Sequence, residues 1–502
     1  MEISIRRADF VTRASGLLAV GVCEGPVSKD SAAARLDSVS DGALKTVLAS
    51  GDFAGRLGET TLIYPAGVKA KRVLLVGLGK AGELDERRVL AASATATRRA
   101  RDVSAGTLAL VLPEAAEGAA GLSRAAGEGL TLGHHRHTAY FSGGGKPALE
   151  RAEWLTATAP SAAVRLAFEH GAVRGEAVGL ARDLASTPGQ DLPPVALAER
   201  AREVAKRVGA KATVYDVAAM ERLGMGCVLA VGRGSPHPPR FIELMKEAAV
   251  SKRKHAKSPT VVVIGKGVTF DTGGVSLKPR EGMSKMKYDM SGSAAVIGLF
   301  ASLATLELPF RVVGLIPSAE NAIGGRAFKP GDVIRAMDGT TIEVTNTDAE
   351  GRLLLADALV YARRFSPVAV VDLATLTGAM SIALGRHAAG LFTADDTLAA
   401  ELHTAGERTG ERLWRMPLWS EFLSEMKSDT ADLVNSNERK EGGSCTAAGF
   451  LSHFATGLPW AHLDIASTAW TYSERPESSR GPNAFGVRLL TNWLEARAHS
   501  TR

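Results

Sequence analysis

Val261-Val262-Val263-Ile264-Gly265-Lys266-Gly267-Val268-Thr269-Phe270-Asp271-Thr272-Gly273-Gly274 decides how this chain is read. Four apolar residues in a row, without alternation, suit a strand buried on both faces of a parallel sheet. The glycine-rich polar run that follows marks the point where such a strand leaves the sheet. Ligands of open α/β sheets gather at the carboxyl ends of strands, which puts Lys266 and Asp271 where a site belongs.

Working outward, the pattern repeats. Thr341-Ile342-Glu343-Val344 alternates as a strand and delivers Asn346-Thr347-Asp348-Ala349-Glu350-Gly351-Arg352. Val368-Ala369-Val370-Val371-Asp372-Leu373 delivers Ala374-Thr375-Leu376-Thr377-Gly378. Between them lie Met286-Lys287-Tyr288-Asp289-Met290, a small-residue helix start at Ser291-Gly292-Ser293-Ala294-Ala295, the buried strand Val312–Ile316 and a glycine-rich loop from Asn321 to Gly331. Three successive strand ends with polar, glycine-bearing loops point to an active site. If Asn346–Arg352 is extended, Asp348, Glu350 and Arg352 share one face. Two carboxylates that close repel unless a cation lies between them, which invites a metal; a polar surface turn is the competing reading.

The acids near these strand ends are Asp271, Asp289, Asp348 and Glu350, with no cysteine or histidine beside them. Such a set suits hard or borderline divalent ions held by oxygen. Four carboxylates can share two dications about 3.5–4 Å apart, as in two-metal hydrolytic sites. Otherwise Asp271 and Asp289 are helix or turn caps, with Lys266, Lys278 and Arg352 as salt-bridge partners.

The fold class expected is α/β: a smaller N-terminal α/β domain, then a larger C-terminal catalytic α/β domain with a mixed, largely parallel sheet flanked by helices. At 502 residues the chain is too long for one ordinary core. Residues 1–150 hold the apolar runs Arg72–Val76 and Leu108–Leu112 with a helical stretch, Leu84–Ala100, between them, an order that suggests a parallel sheet. Residues 151–185 read as a connecting helical region, closed by the breaker-rich Ser186–Pro194. Residues 186–502 form the catalytic domain, in which Ala212–Tyr215 and Cys227-Val228-Leu229-Ala230-Val231 read as strands.

Composition narrows the class further. No run of about 18 apolar residues appears, so no membrane association is expected. Residues 1–7 lack the pattern of a secretory signal. Cys23, Cys227 and Cys445 lie far apart and form no CxxC, which fits a reducing, cytoplasmic location. A net charge of +6 gives a weak pull towards anionic partners. Gly77-Leu78-Gly79-Lys80-Ala81-Gly82 matches the dinucleotide pattern GxGxxG, but Asp102 precedes its strand where the ribose-binding acid should end one. His134-His135-Arg136-His137 reads as a solvated loop rather than a metal site. The basic run Lys252–Lys257 has no interleaved aromatics, so nucleic-acid contact is an added role at most.

Together, Gly265-Lys266-Gly267-x-Thr269-Phe270-Asp271-x-Gly273-Gly274, Met286-Lys287-x-Asp289-Met290 and Asn346–Arg352 closely resemble the leucyl aminopeptidase (cytosol aminopeptidase) family. Asp372–Gly378 and Trp460–Ala466 are also similar to that family. The clear resemblance spans about residues 180–475 and is specific because several long motifs occur in order. It implies a metal-dependent exopeptidase removing N-terminal residues, leucine and other apolar ones favoured, from peptide substrates, and assembly as a homohexamer. It implies two divalent ions per subunit, Zn or Mn foremost, with Mg or Co also suited. One would be bound by Asp271, Asp348 and Glu350, the other by Lys266, Asp271, Asp289 and Glu350. A lysine ligand must be neutral, and two adjacent dications would repel its proton. By the same resemblance a metal-activated water attacks the scissile carbonyl, Lys278 stabilises the oxyanion, and Arg352 holds a bicarbonate base. Met286, Thr375, Gly378 and Ala466 match positions lining the pocket for the N-terminal side chain, and Asn346 and Leu376 are placed with them as substrate-binding residues. A narrow dipeptidase, for instance for cysteinylglycine, is the alternative within enzymes.

Overall fold

The computed structural model describes residues 1–143, 149–249, 258–437, 439 and 441–500. The basic run Lys252–Lys257 lies outside the described residues. The chain divides into two compact units, Met1–Gly179 with Tyr472–Arg480, and Leu180–Thr471 with the segment from Gly481 onward.

The first unit is built on six strands, β1 (Glu2–Arg7), β2 (Leu17–Glu24), β3 (Thr60–Ile63), β4 (Val73–Lys80), β5 (Thr107–Val111) and β6 (Arg151–Thr156), ordered β1-β6-β5-β2-β4-β3. Every neighbouring pair is parallel except β3 with β4. The helices Glu86–Asp102 and Ala120–His134 accompany it. Residues 151–156 are therefore not part of a connecting helical region. They form a buried strand paired on both sides, where sheet burial outweighs local helix propensity. The helix of that stretch begins only after Pro160 and runs Ala162–Ser186. The GxGxxG run ends β4, and the Arg88 guanidinium packs on Gly79, donating to the Leu78 carbonyl at 3.4 Å.

The second unit carries β7 (Lys211–Tyr215), β8 (Arg240–Lys246), β9 (Thr260–Gly265), β10 (Gly267–Asp271), β11 (Arg311–Asn321), β12 (Val333–Arg335), β13 (Thr341–Glu343), β14 (Ala369–Ala374), β15 (Ala389–Phe392), β16 (Leu413–Arg415), β17 (Leu433–Val434) and β18 (Trp460–Asp464). Its main sheet has nine strands in the order β16-β15-β18-β14-β9-β11-β8-β7, with β10 paired to β11. The centre β18-β14-β9-β11 is parallel, whereas β8 runs antiparallel to both β11 and β7, and β15 antiparallel to β18. The whole is thus α/β, with mixed and largely parallel sheets flanked by helices.

The central helices Ser291–Ser302 and Gly351–Ala362 are buried nearly all round, as expected for helices walled in between a sheet and a second helix layer. The first packs on β9, β11 and β14, and the second on β9 and β11 and on the helices Gly226–Gly232 and Gly443–Phe454. Residues 227–231 are helical rather than extended. The buried Asp357 carboxylate accepts the Cys227 and Val228 N–H groups at 3.0 Å each and so ties down the start of that helix. The strand before Asn346–Arg352 belongs not to the main sheet but to a three-stranded one, β12-β13-β17.

Candidate metal centre

Because β9, β10, β11 and β14 run parallel, their carboxyl ends lie on one edge, and the site is assembled there. Lys266 follows β9. Its N–H donates to the Leu373 carbonyl of β14 at 3.0 Å, and its carbonyl accepts from Ser293 N at 2.9 Å. Gly292 is required at this crowded junction, because a Cβ there would come within 2.1 Å of the Leu373 oxygen. The lysine side chain then runs across Gly351, where a Cβ would lie 2.8 Å from Nζ. The glycine after Glu350 is thus a clearance for Lys266.

The Lys266 ammonium, 3% exposed, meets Asp289 Oδ2 at 2.8 Å, Glu350 Oε1 at 2.9 Å and the Thr375 carbonyl at 2.9 Å. Lys278 lies between Asp271 Oδ2 at 2.8 Å and Asp348 Oδ1 at 2.6 Å. Asp271, Asp348 and Glu350 each bring one carboxylate oxygen within 4.8 Å of the others. Asp289 joins them through Lys266, and Thr375 Oγ1 donates to its Oδ1 at 2.7 Å. All five residues expected to bind metal are therefore in one place, with Lys278 among them.

The backbone route differs from the extended one expected for residues 346–352. Residues 347 and 348 form a turn, and Glu350 is the cap residue of the helix Gly351–Ala362. Asp348 and Glu350 converge by turn and helix start rather than by strand alternation. Arg352 falls in the first helical turn, buried, with Nη1 donating to the Asn435 carbonyl at 2.9 Å. Its Nε is buried without a hydrogen-bond partner.

The electrostatics suit a cation. Four carboxylates face two ammonium groups, so each ammonium is shared between two carboxylates. Burial drives the Glu350 carboxyl well up, and the charge of Asp271 adds to it. Asp289 is likewise raised by burial, against the pull of Lys266. Asp348 is raised by burial and by Asp271. Glu350 Oε2 is buried without a hydrogen-bond partner. Burial, the strongest single influence, would lower both lysines, but the surrounding carboxylates together outweigh it, Asp289, Glu350 and Asp271 at Lys266 and Asp271, Asp289, Glu350 and Asp348 at Lys278, so both are held above the ordinary lysine value. A buried, under-compensated set of oxygens is the donor chemistry that divalent ions take.

Of the expected substrate-lining residues, Met286, Thr375 and Asn346 touch members of this cluster, whereas Leu376, Gly378 and Ala466 lie just after β14 and β18. Met286 lies in the short helical turn Met286–Tyr288 and its carbonyl accepts from Asp289 N at 3.2 Å. Thr375 touches Asp289 directly, as above. Leu376 N and Ala466 N both donate to Asp464 Oδ1, at 3.3 and 3.1 Å, and Gly378 opens the helix Gly378–Leu384. Asn346 Oδ1 accepts from Asp348 N at 2.8 Å, so its role in this structure is to shape the turn.

Three buried residues of the site were not singled out from the sequence. Asn321, at the end of β11, donates to Asp271 Oδ1 at 2.8 Å and to the Thr347 carbonyl at 3.0 Å. Asp464, ending β18, holds the exit loop of β14 through Thr377 Oγ1 at 2.6 Å. Asn435 follows β17 and contacts the turn that carries Asp348. Polar residues ending buried strands were the available signal for the first two; nothing local marks Asn435.

A carboxylate cluster at the carboxyl edge of a largely parallel sheet fits a metal-dependent hydrolase. The catalytic-domain model of the cytosol aminopeptidase family matches residues 179–491, and that family's N-terminal-domain model matches residues 19–143. The chain belongs to the cytosol aminopeptidase family, and it is a metallo-aminopeptidase. It is 45% identical over 509 residues to a probable cytosol aminopeptidase of Roseiflexus castenholzii, covering 99% of this chain and 100% of the relative. The probable cytosol aminopeptidase of Geobacter sulfurreducens is 43% identical over 499 residues, 99% of each chain. Among solved structures, the bottromycin maturation enzyme BotP in complex with Mn aligns with a TM-score of 0.85 and 39% identity, covering 96% of this chain and 100% of that one. A mutant tomato leucine aminopeptidase aligns with a TM-score of 0.87 and 30% identity, covering 98% and 96%.

Proposed function

We propose that this enzyme removes apolar N-terminal residues, leucine foremost, from peptides, using two divalent ions, Zn or Mn, at the Asp271–Asp348–Glu350 cluster. The observation that carries the reading is the convergence of those three carboxylates from two remote segments within 4.8 Å, in a cluster where four carboxylates share two ammonium groups. Asp271, Asp348 and Glu350 would hold one ion, and Lys266, Asp271, Asp289 and Glu350 the other, with Lys266 losing its proton in exchange. Bound there, the pair supplies Lewis acidity, a nucleophilic water at neutral pH and an anchor for a free α-amine.

The protein's own groups do the rest. Lys278 is kept charged by its carboxylate neighbours and stands 20% exposed, so it can donate to the carbonyl oxygen as that oxygen gains charge. Arg352 keeps an unsatisfied Nε, which suits holding an anion such as bicarbonate as proton acceptor. Met286, Thr375, Leu376, Gly378 and Ala466 would take the N-terminal side chain, with Asn346 beside them. A homohexamer in the cytoplasm is the proposed setting.

Hydrolysis of leucine p-nitroanilide after thorough chelation, and again after addition of Mn, Zn or Mg, tests the proposal. Activity should vanish and return with at least one metal. Full activity in the stripped enzyme would overturn it.

A further inference from the structure

Asp348 is the outlier of the carboxylate cluster. Its side chain is 33% exposed, against 3% for Asp271 and 1% for Glu350. Packing therefore fixes the other two, whereas Asp348 depends on the shape of its turn. Asn346 and Asn321 hold that turn at its centre, and one further, fully buried residue holds both of its flanks.

Asn435 is 0% exposed. Its side-chain Nδ2 donates to the Asn346 carbonyl at 2.7 Å and to the Ala349 carbonyl at 3.3 Å, the two flanks of the Thr347–Asp348 turn. Its Oδ1 accepts from Thr345 N at 2.9 Å, Thr345 Oγ1 at 3.3 Å and Asn346 N at 3.3 Å. The side chain thus closes the turn like a clasp. Its main chain does a second job: the carbonyl accepts from Arg352 Nη1 at 2.9 Å, and the N–H donates to the Glu343 carbonyl of β13 at 3.0 Å. Asp348 and Arg352 are therefore referenced to the same residue, which is itself tied to the strand that delivers the turn.

We infer that Asn435 is a positioning residue of the metal centre: its amide sets where Asp348 presents its carboxylate, and its carbonyl sets where Arg352 presents its guanidinium. The amide is needed for this because one group must donate to two carbonyls and accept from two N–H groups at once; a carboxylate of the same shape cannot donate. Removing it takes a donor from the Ala349 carbonyl and from the Asn346 carbonyl, which keeps only the Ala349 N–H at 3.2 Å, so the turn loosens. This inference rests on Asp348 being a metal ligand.

The test is Mn binding measured by competition with a chelator, on full-length protein, for wild type, N435A, D348A and the double variant. Outer-shell partners of metal ligands typically carry about 10–100-fold in affinity. N435A should weaken one Mn site by about that factor and leave the other within about threefold. In the D348A background, adding N435A should cost no more than about twofold, because the two act on the same site. At saturating Mn, N435A should lower kcat, since the Asp348 carboxylate is no longer held in place while the main-chain carbonyl that receives Arg352 remains. If N435A does not fold, N435S, which keeps one donor, serves in its place and should show a smaller loss of the same kind.

Wild-type Mn affinity in N435A, or a loss that returns in full in the D348A background, overturns the inference. D348A binding both ions as tightly as wild type, with N435A weakened, overturns instead the assignment of Asp348 as a ligand, and the positioning of Asp348 with it.

Discussion

At the scale of the residue, the site's charges explain why it holds two lysines. Each sits between two carboxylates, yet they differ in access: Lys266 is sealed at 3% exposure, whereas Lys278 is 20% exposed. A group that must reach substrate has to be the accessible one, which favours Lys278 as the oxyanion donor. Replacing it, Lys278→Ala, should lower kcat by about 10²–10³-fold, the usual cost of one oxyanion donor. Metal content by elemental analysis should stay at the wild-type value, because the variant loses a cation and keeps every carboxylate. Near-wild-type kcat would remove Lys278 from the mechanism.

At the scale of the element, the helix Gly351–Ala362 is the hinge between fold and site. Its first residue gives clearance to Lys266, its cap residue is Glu350, and farther along Asp357 ties down the helix Gly226–Gly232. Asp357 is fully buried and also accepts from Met337 N at 2.9 Å. Burial pushes its carboxyl up to about 7, against the three N–H groups that favour its charge. The unfolded chain therefore releases this proton at lower pH than the folded one. The group's contribution to stability is largest below about pH 4 and falls as pH rises to about 7. Asp357→Asn has one acceptor oxygen for three donors, so unfolding by urea at pH 5 should register a cost of about 1–3 kcal/mol. That cost should shrink by pH 8, where the native carboxyl has paid for ionising in a buried place. A cost that grows with pH would contradict the assignment.

At the scale of the whole molecule, two sheets with their own cores divide the labour, the first unit surrounding a six-stranded sheet and the second carrying every residue of the site. The second unit leaves large apolar side chains in water: Ile382 is 89% exposed, Trp414 62% and Trp419 64%. Trp414 lies on β16, at an edge of the nine-stranded sheet. Exposed apolar groups of that size commonly mark surfaces that another chain covers. Sedimentation velocity at micromolar concentration should find a six-chain species, and a monomer under those conditions would overturn the proposed hexamer. Among the described residues no helix is long and apolar enough to cross a membrane.

What the sequence determined by itself was the chemistry and its order. Runs such as Val261–Ile264 are apolar enough to be buried strands wherever they pair, and a polar residue just after one has to emerge at a sheet edge. Lys266 and Asp271 stood out for that reason, whereas Asp289, Asp348 and Glu350, which follow turns and helix starts, stood out through their carboxylates and the family motifs they fall in. Tertiary structure decided what depends on distant partners. Arg151–Thr156 became a strand because β1 and β5 pair with it from both sides, and Cys227–Val231 became a helix because Asp357, 130 residues away from Cys227, receives its first N–H group. Asn435 was invisible for the same reason. A single asparagine has no periodicity, and its value lies wholly in the carbonyls and N–H groups that the fold brings to it. Local physics writes which residues can do chemistry; only long-range contact settles which residues hold them still.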